Sequence, residues 1–338
     1  MSSVVGMKAI VYDEYGTPEV MRLEDVHAPI PSSDEVLVRS VATTINAYDW
    51  DLLTASTWLT RIGAWNSPRH RILGCDFSGV VEKVGSSVTK FATGDPVMGD
   101  LSSLGFGAFA EYVSVPSSSI VQKPGHLSFE EAATLPQAGT LALQTITSHA
   151  LGPDSQVLIN GGGGGAGTFA IQMAKNLGSH VTAIDAKEKL ELMQSLGADT
   201  VHDYATTDFT ELGKRFDLIM DVNSHRSPFA YQRCLRDNGV LIVIGGNIRH
   251  IIAVAAIGWL IGRRRHTRQK VLLHRPNTND FKILSEMTSD GSLHPVIDRS
   301  YTLSEVPEGL DRLGAGKSLG KLTVRVTPDT ADDGAPWA

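Results

Sequence analysis

The chain has 338 residues, of which 42% are hydrophobic and 20% charged, with a formal net charge of −7. This length suits two domains or one large one, and the composition excludes disorder across the whole chain. The acidic balance counts against a nucleic-acid partner, and the two cysteines, Cys75 and Cys234, exclude a disulfide-rich secreted scaffold and a four-cysteine zinc lobe.

The N-terminus, Met1 to Lys8, has no basic stretch followed by an apolar run, so the sequence predicts no signal peptide and a cytoplasmic protein. The first third reads as short strands, at Met7 to Tyr12, Glu35 to Thr43 and Val80 to Val84, separated by dense turn signals. That pattern predicts a small, mostly β domain. Ser128 and Glu131 then form a capping box, which predicts a helix to about Leu135, where Pro136 interrupts it; a second helix is expected from Gly139 to Ala150. From Val157 onward strands and helices alternate. Strands are expected at Val157 to Ile159, His180 to Asp185, Phe216 to Asp221 and Gly239 to Gly245, with helices at Ala166 to Leu177 and Lys187 to Leu196. Alternation of this kind predicts a parallel, doubly wound sheet. The polar tail Pro328 to Ala338 is expected to fray.

Between the first strand of that half and its helix lies Gly162-x-Gly164-x-x-Gly167. Glycines there let the backbone approach a pyrophosphate, and the helix start offers free N–H groups to it. A flexible glycine-rich loop is the alternative, but the spacing of strand, turn, helix and next strand favours dinucleotide binding. Asp185 closes the next strand, where an acid accepts hydrogen bonds from the ribose of NAD and repels a 2′-phosphate. Lys187 and Lys189 follow directly and would suit a 2′-phosphate instead.

Further stretches complete the pattern: Ile72-Leu73-Gly74-x-Asp76-Phe77-Ser78-Gly79-Val80-Val81, Gly107-x-Phe109-Ala110-Glu111-Tyr112, Leu135-Pro136-x-Ala138-Gly139-Thr140, Leu196-Gly197-Ala198-Asp199 and Gly320-Lys321-Leu322. In this order, from Met7 to Val326, they resemble the zinc-independent quinone oxidoreductase type of the medium-chain dehydrogenase/reductase superfamily. The resemblance implies an α/β protein in which a GroES-like β domain (1–127 and 286–338) surrounds a Rossmann NAD(P)-binding domain (128–285), with substrate between them. It implies NADP(H) as cofactor, while Asp185 leaves NAD(H) open. It implies no zinc, because zinc-containing relatives carry a cysteine where this chain has Asn46, a histidine where it has Cys75, and a further ligand near Gln137 or Ala138. Without a Lewis acid, reduction of a conjugated acceptor is favoured, a quinone or an α,β-unsaturated carbonyl.

By the same resemblance the cleft asparagine maps onto Asn46, and Tyr48 is the nearby phenol, with packing as its alternative role. Enoyl-thioester reductases of the superfamily carry a tyrosine slightly further on, where this chain reads Ala55-Ser56-Thr57-Trp58. The expected cofactor residues are Thr140, Gly162, Gly164, Gly165, Ala166, Gly167, Asp185, Lys189, Tyr204, Val222, Asn223, Gly245, Gly246 and Lys321. A dedicated biosynthetic ene-reductase and a catalytically silent NAD(P)H-binding protein are the competing readings, and a homodimer is expected.

One segment stands apart. His250 to Gly262 is apolar and is followed by Arg263-Arg264-Arg265-His266-Thr267-Arg268-Gln269-Lys270. It falls short of a membrane span. A peripheral membrane contact is one reading; its apolar residues lie nearly all round, which favours burial over a cleft or in a dimer.

Overall fold

The computed structural model describes residues 6–61, 64–65 and 67–326; the tail from Pro328 lies outside them. Two compact units are present, one formed by residues 6–137, 275–289 and 297–326, the other by 138–274 and 290–296.

In the first unit β1 (Gly6–Val11) and β2 (Arg22–His27) form an antiparallel hairpin. β3 (Glu35–Ile45) leads into α1 (Ala47–Thr54) and pairs with β4 (Asp76–Val84). β5 (Pro96–Asp100) pairs with β4 and with β7 (Ile120–Gln122), while β6 (Tyr112–Pro116) pairs with β3. α2 (Phe129–Thr134) starts at the expected Ser128–Glu131 capping box. Its Phe129 and Ala133 bury against Val41, Ala42 and Val80 of β3 and β4. That packing assigns α2 to the first unit, so the division falls after Gln137 rather than at 127.

Pro136 does not end the helix as expected. Residues Leu135–Gly139 form a π-helical turn that runs on into α3 (Thr140–Ile146). Proline has no N–H to give the ladder, and the Gln137 N–H leaves it to donate to Asp76 Oδ1 at 2.8 Å.

The second unit carries the alternating elements: β8 (Gln156–Asn160), α4 (Gly165–Asn176), β9 (His180–Asp185), α5 (Leu190–Ser195), β10 (Thr200–Asp203), β11 (Phe216–Asp221), α6 (Pro228–Cys234), β12 (Leu235–Val243), α7 (Ile248–Ile261) and β13 (Arg268–Val271). Every pairing is parallel, in the order β10-β9-β8-β11-β12-β13. This is the doubly wound Rossmann order, with its switch point between β8 and β11. The end of the basic run is not free chain: Arg268–Val271 is the edge strand, with Gln269 buried.

The chain then returns to the first unit through α8 (Thr278–Ser289), β14 (Ile297–Thr302), α9 (Val306–Gly314) and β15 (Lys321–Arg325). The resulting sheet has the order β14-β15-β3-β4-β5-β7. Its core holds Ile10, Ile45, Leu53, Phe109, Val306 and Leu322 on one side and Val36, Phe77, Val97 and Val115 on another. Two strand registers gather polar residues near the end of β3. Leu322 lies opposite Ile45, which sets Lys321 next to Asn46, and Phe77 lies opposite Thr43, which sets Asp76 next to Thr44.

Candidate functional site

The expected site residues fall into two groups, one in each unit. In the first unit the two strand registers converge on a buried polar cluster. Asp76 is its centre: Oδ2 accepts from Thr44 Oγ1 at 2.6 Å and Asn46 Nδ2 at 3.0 Å, and Oδ1 accepts from the Gln137 N–H. The Lys321 ammonium donates to Asn46 Oδ1 at 2.5 Å and lies 3.3 Å from Asp76 Oδ2. Lys321 is 3% exposed and Asp76 fully buried. Burial raises the Asp76 carboxyl above the usual range, while the ammonium and the hydrogen bonds from Thr44 and Asn46 work the other way.

Lysine is a donor only, so the Asn46 carbonyl must face it and the amide hydrogens face Asp76, Thr44 and Cys75. Asn46 has no amide hydrogen left to offer a substrate, and Lys321, expected at the cofactor, has its charge turned onto Asn46 and Asp76. Neither role could be read from the sequence, because the two residues meet only through the β3–β15 register.

Cys75 Sγ accepts from Asn46 Nδ2 at 3.3 Å and from Gln137 Nε2 at 3.2 Å. Burial, together with the carboxylates Asp76 and Asp49, pushes its thiol well up. Among the described residues no group of three or more His, Cys, Asp and Glu side chains is placed to hold a metal. Asp49 accepts the N–H groups of Asn46 and Gly74, both at 2.9 Å, and so pins the start of α1 to the loop before β4.

Tyr48, on the first turn of α1, differs from its neighbours. It is 44% exposed, its ring meets Phe106 edge-on at 5.2 Å, and its hydroxyl makes no hydrogen bond among the described residues. Partial burial raises its pKa, aided by Cys75 and Asp51.

The second group lines the carboxyl ends of the parallel strands. The turn after β8 is held by the Gly161 and Gly162 N–H groups on Ile184 O, at 2.8 and 3.1 Å. Gly161, outside the expected motif, has φ +91°, which glycine alone adopts freely. A Cβ at Gly167 would sit 2.1 Å from Gly161 O, so that glycine is required for α4 to approach the turn. Gly164 precedes α4, and Gly165, Ala166 and Gly167 present its first N–H groups. The loops after β11 and β12 are stitched together by Ser224 N on Gly245 O at 2.9 Å, which places Val222, Asn223, Gly245 and Gly246 at one rim. A Cβ at Gly161 would lie 2.9 Å from Val222 Cβ, so this rim adjoins the glycine turn. Asp221 braces it from below, accepting from Asn160, Asn223 N and Tyr231.

Asp185 Oδ2 accepts the Gly163 N–H at 2.9 Å, and Oδ1 pairs with Lys189 Nζ at 3.2 Å. Both side chains are buried. Tyr204 is exposed beside them, its N–H on Asp185 O at 3.1 Å. Thr140 Oγ1, at the start of α3, is buried without any hydrogen-bond partner. Such atoms recur elsewhere among the described residues, so the orphan alone does not assign a ligand to Thr140.

Residues 32–125 match the family described as alcohol dehydrogenase GroES-like domain, and 196–324 the zinc-binding dehydrogenase family. Residues 134–233 match the alanine dehydrogenase/PNT C-terminal domain. The chain is 32% identical to the chloroplast envelope quinone oxidoreductase homolog of Arabidopsis thaliana, over 94% of this chain and 98% of that protein. It is 31% identical to the 2-methylene-furan-3-one reductase of Solanum lycopersicum, over 95% and 80%. Among solved structures, the quinone oxidoreductase from Coxiella burnetii superposes with a TM-score of 0.87 at 30% identity, covering 96% of this chain and all of that one.

Proposed function

Because the chain belongs to the medium-chain dehydrogenase/reductase superfamily, among its quinone oxidoreductases, we propose that it reduces quinones or α,β-unsaturated carbonyls with NAD(P)H, without zinc. The observation that carries this reading is the Lys321–Asn46–Asp76 cluster. A catalytic zinc needs deprotonated or neutral lone-pair donors. Here the corresponding positions hold a carboxamide and a single thiol, and the Lys321 side chain already stands among them. The donor set does not fit zinc.

The second unit fits the dinucleotide. Gly161 to Gly167 and the α4 N–H groups would hold the pyrophosphate, Thr140 the nicotinamide side, and Tyr204 with the Asp185–Lys189 pair the adenosine end. We assign NADP(H) as the preferred cofactor: Lys189 would turn from Asp185 to a 2′-phosphate, a charge-assisted contact. When bound, the dihydronicotinamide supplies a hydride to the acceptor. The electron pair displaced in the acceptor moves onto its carbonyl oxygen, and a proton completes the reduction. Tyr48 is the group suited to donate to that oxygen, since its hydroxyl is unspent and its raised pKa keeps it protonated at neutral pH. Asn46 and Lys321 hold the start of α1, and with it Tyr48, in place.

The test is oxidation of NADPH and of NADH with a naphthoquinone and a simple enone as acceptors, alongside metal analysis of the purified protein. Turnover without stoichiometric zinc is expected. Cofactor binding without turnover on either acceptor would instead favour a dedicated ene-reductase or a silent NAD(P)H-binding protein.

A further inference from the structure

The loop between β5 and β6 carries an uncommon backbone. Gly105, Phe106 and Gly107 follow one another at φ +110°, +66° and +114°. Glycine takes such values freely, but a bulky aromatic residue there is strained, and strain of this kind persists only where the surroundings fix it. Here they do. Leu101 O accepts the Leu104 and Phe106 N–H groups at 2.9 and 3.1 Å, and the Ala108 N–H donates to Gly74 O at 3.0 Å. The Leu101 N–H in turn donates to Cys75 O at 2.8 Å. The loop is therefore tied to the residues that lead into the buried cluster.

What this backbone holds in place is a ring. Phe106 is half-buried, and its ring centroid lies 5.2 Å from that of Tyr48 and 5.0 Å from that of His70. The planes are inclined, by 70° to Tyr48 and by 52° to His70. Rings set at such angles wall a recess rather than close into a stack. His70 is half-buried as well. Burial and the neighbouring Arg69 hold its imidazole below the ordinary value of 6.5, so it stands there as a neutral ring at neutral pH. Core packing does not account for the strain at Phe106, because the ring stays partly open to solvent beside the Tyr48 hydroxyl.

We infer that Phe106 is a specificity-determining residue for the acceptor: with Tyr48 and His70 it receives a flat conjugated ring, so that ring acceptors are favoured over open-chain enones. The inference rests on the reading of this chain as a reductase with Tyr48 as its donor, and narrows the acceptor class within it. Ring planes attract one another edge-on or offset at centroid separations of about 4.5–7 Å, the spacing already present between Phe106 and its two neighbours. A ring acceptor entering the recess gains that contact on Phe106. An acceptor without a ring forgoes it while keeping the same hydrogen bond from Tyr48. The difference corresponds to a factor of about three to ten in kcat/KM.

The test compares kcat/KM for a naphthoquinone and for the open-chain methyl vinyl ketone in the wild type, Phe106→Leu and Phe106→Tyr. Phe106→Leu keeps an apolar side chain on the same backbone and removes the ring. It should lower kcat/KM for the naphthoquinone by about threefold to tenfold and leave that for methyl vinyl ketone within about twofold. Phe106→Tyr restores the ring and most of the preference. Equal losses with both acceptors would overturn the inference and leave Phe106 as a support for Tyr48. So would a Phe106→Leu variant with the wild-type ratio, or a Phe106→Tyr variant that behaves like Phe106→Leu. Calorimetric titration with the naphthoquinone separates this from the reductase reading. Tighter binding by the wild type than by Phe106→Leu, in the same ratio but without turnover of either acceptor, keeps the ring site and sinks the reductase reading. Turnover of methyl vinyl ketone with no binding of the naphthoquinone keeps the reductase reading and sinks the ring site. Neither binding nor turnover with either acceptor sinks both.

Discussion

The Lys321 ammonium and the Asn46 carbonyl oxygen, 275 positions apart in the chain, meet at 2.5 Å inside the first unit, with Asp76 3.3 Å from the same nitrogen. A buried charge pair of this kind is costly to break, because removing one partner strands the other in a low-dielectric interior. Lys321→Met is expected to cost about 3–5 kcal/mol. Asp76→Asn strands the ammonium in turn. The double variant should be less destabilised than the two singles together, with a coupling of about 0.5–3 kcal/mol. Urea unfolding of the four proteins measures this, and strict additivity would show that the two charges do not sense each other.

The Tyr48 hydroxyl is the candidate proton donor, and Tyr48→Phe isolates it. The ring keeps its edge contact with Phe106, so the fold and cofactor binding should be retained. Loss of a general acid is expected to lower kcat by about a hundredfold or more with little change in KM. Burial raises the phenol above its ordinary value of 10.0, so the wild-type rate should hold through neutral and mildly alkaline pH and fall only beyond that value. A variant with wild-type kcat would make Tyr48 a packing residue.

The Rossmann unit is legible in the sequence because its signals are local. The glycine turn, the strand before it and the acid after it lie within thirty residues, and β8, α4 and β9 form where expected. The buried cluster is not legible in that way. Asn46, Asp76 and Lys321 come from three distant strand ends, and only the antiparallel registers of β3 with β4 and β15 bring them together. A glycine-lysine-leucine signal marks Lys321 without saying which way its side chain turns. Helix α7 is opaque for a different reason. Its residues, apolar nearly all round, suggest burial, but within its own unit the neighbour against Gly258 is a single edge strand.

Lys189 and Asp185 pair at 3.2 Å, four residues apart at the end of β9. If Lys189 selects the 2′-phosphate, Lys189→Ala removes a charge-assisted contact of about 1.5–3 kcal/mol. The KM for NADPH should then rise by roughly tenfold to a hundredfold, while that for NADH stays within about twofold. Lys189→Arg, which keeps the charge, should restore most of the preference. Equal losses with both cofactors would mean that Lys189 serves only to hold Asp185 and the Gly163 turn.

Asp49 links stability to pH. It is fully buried, and burial pushes its pKa up to about 7, against the hydrogen bonds from Asn46 N and Gly74 N. The folded value lies above the ordinary aspartate value of 3.8, so the fold retains a proton that the unfolded chain releases across this interval. Stability from this group therefore falls as pH rises from about 4 to about 7. Asp49→Asn does not titrate, and its single acceptor oxygen leaves one of the two backbone N–H groups unpaired, a cost of about 1–3 kcal/mol. The variant should melt below the wild type near pH 5, with the gap narrowing near pH 8 as the wild type loses its advantage. Melting temperatures of the two proteins at both pH values decide the matter: a gap that stays constant, or widens toward alkaline pH, would mean that Asp49 is ionised in the fold throughout and acts as a fixed acceptor.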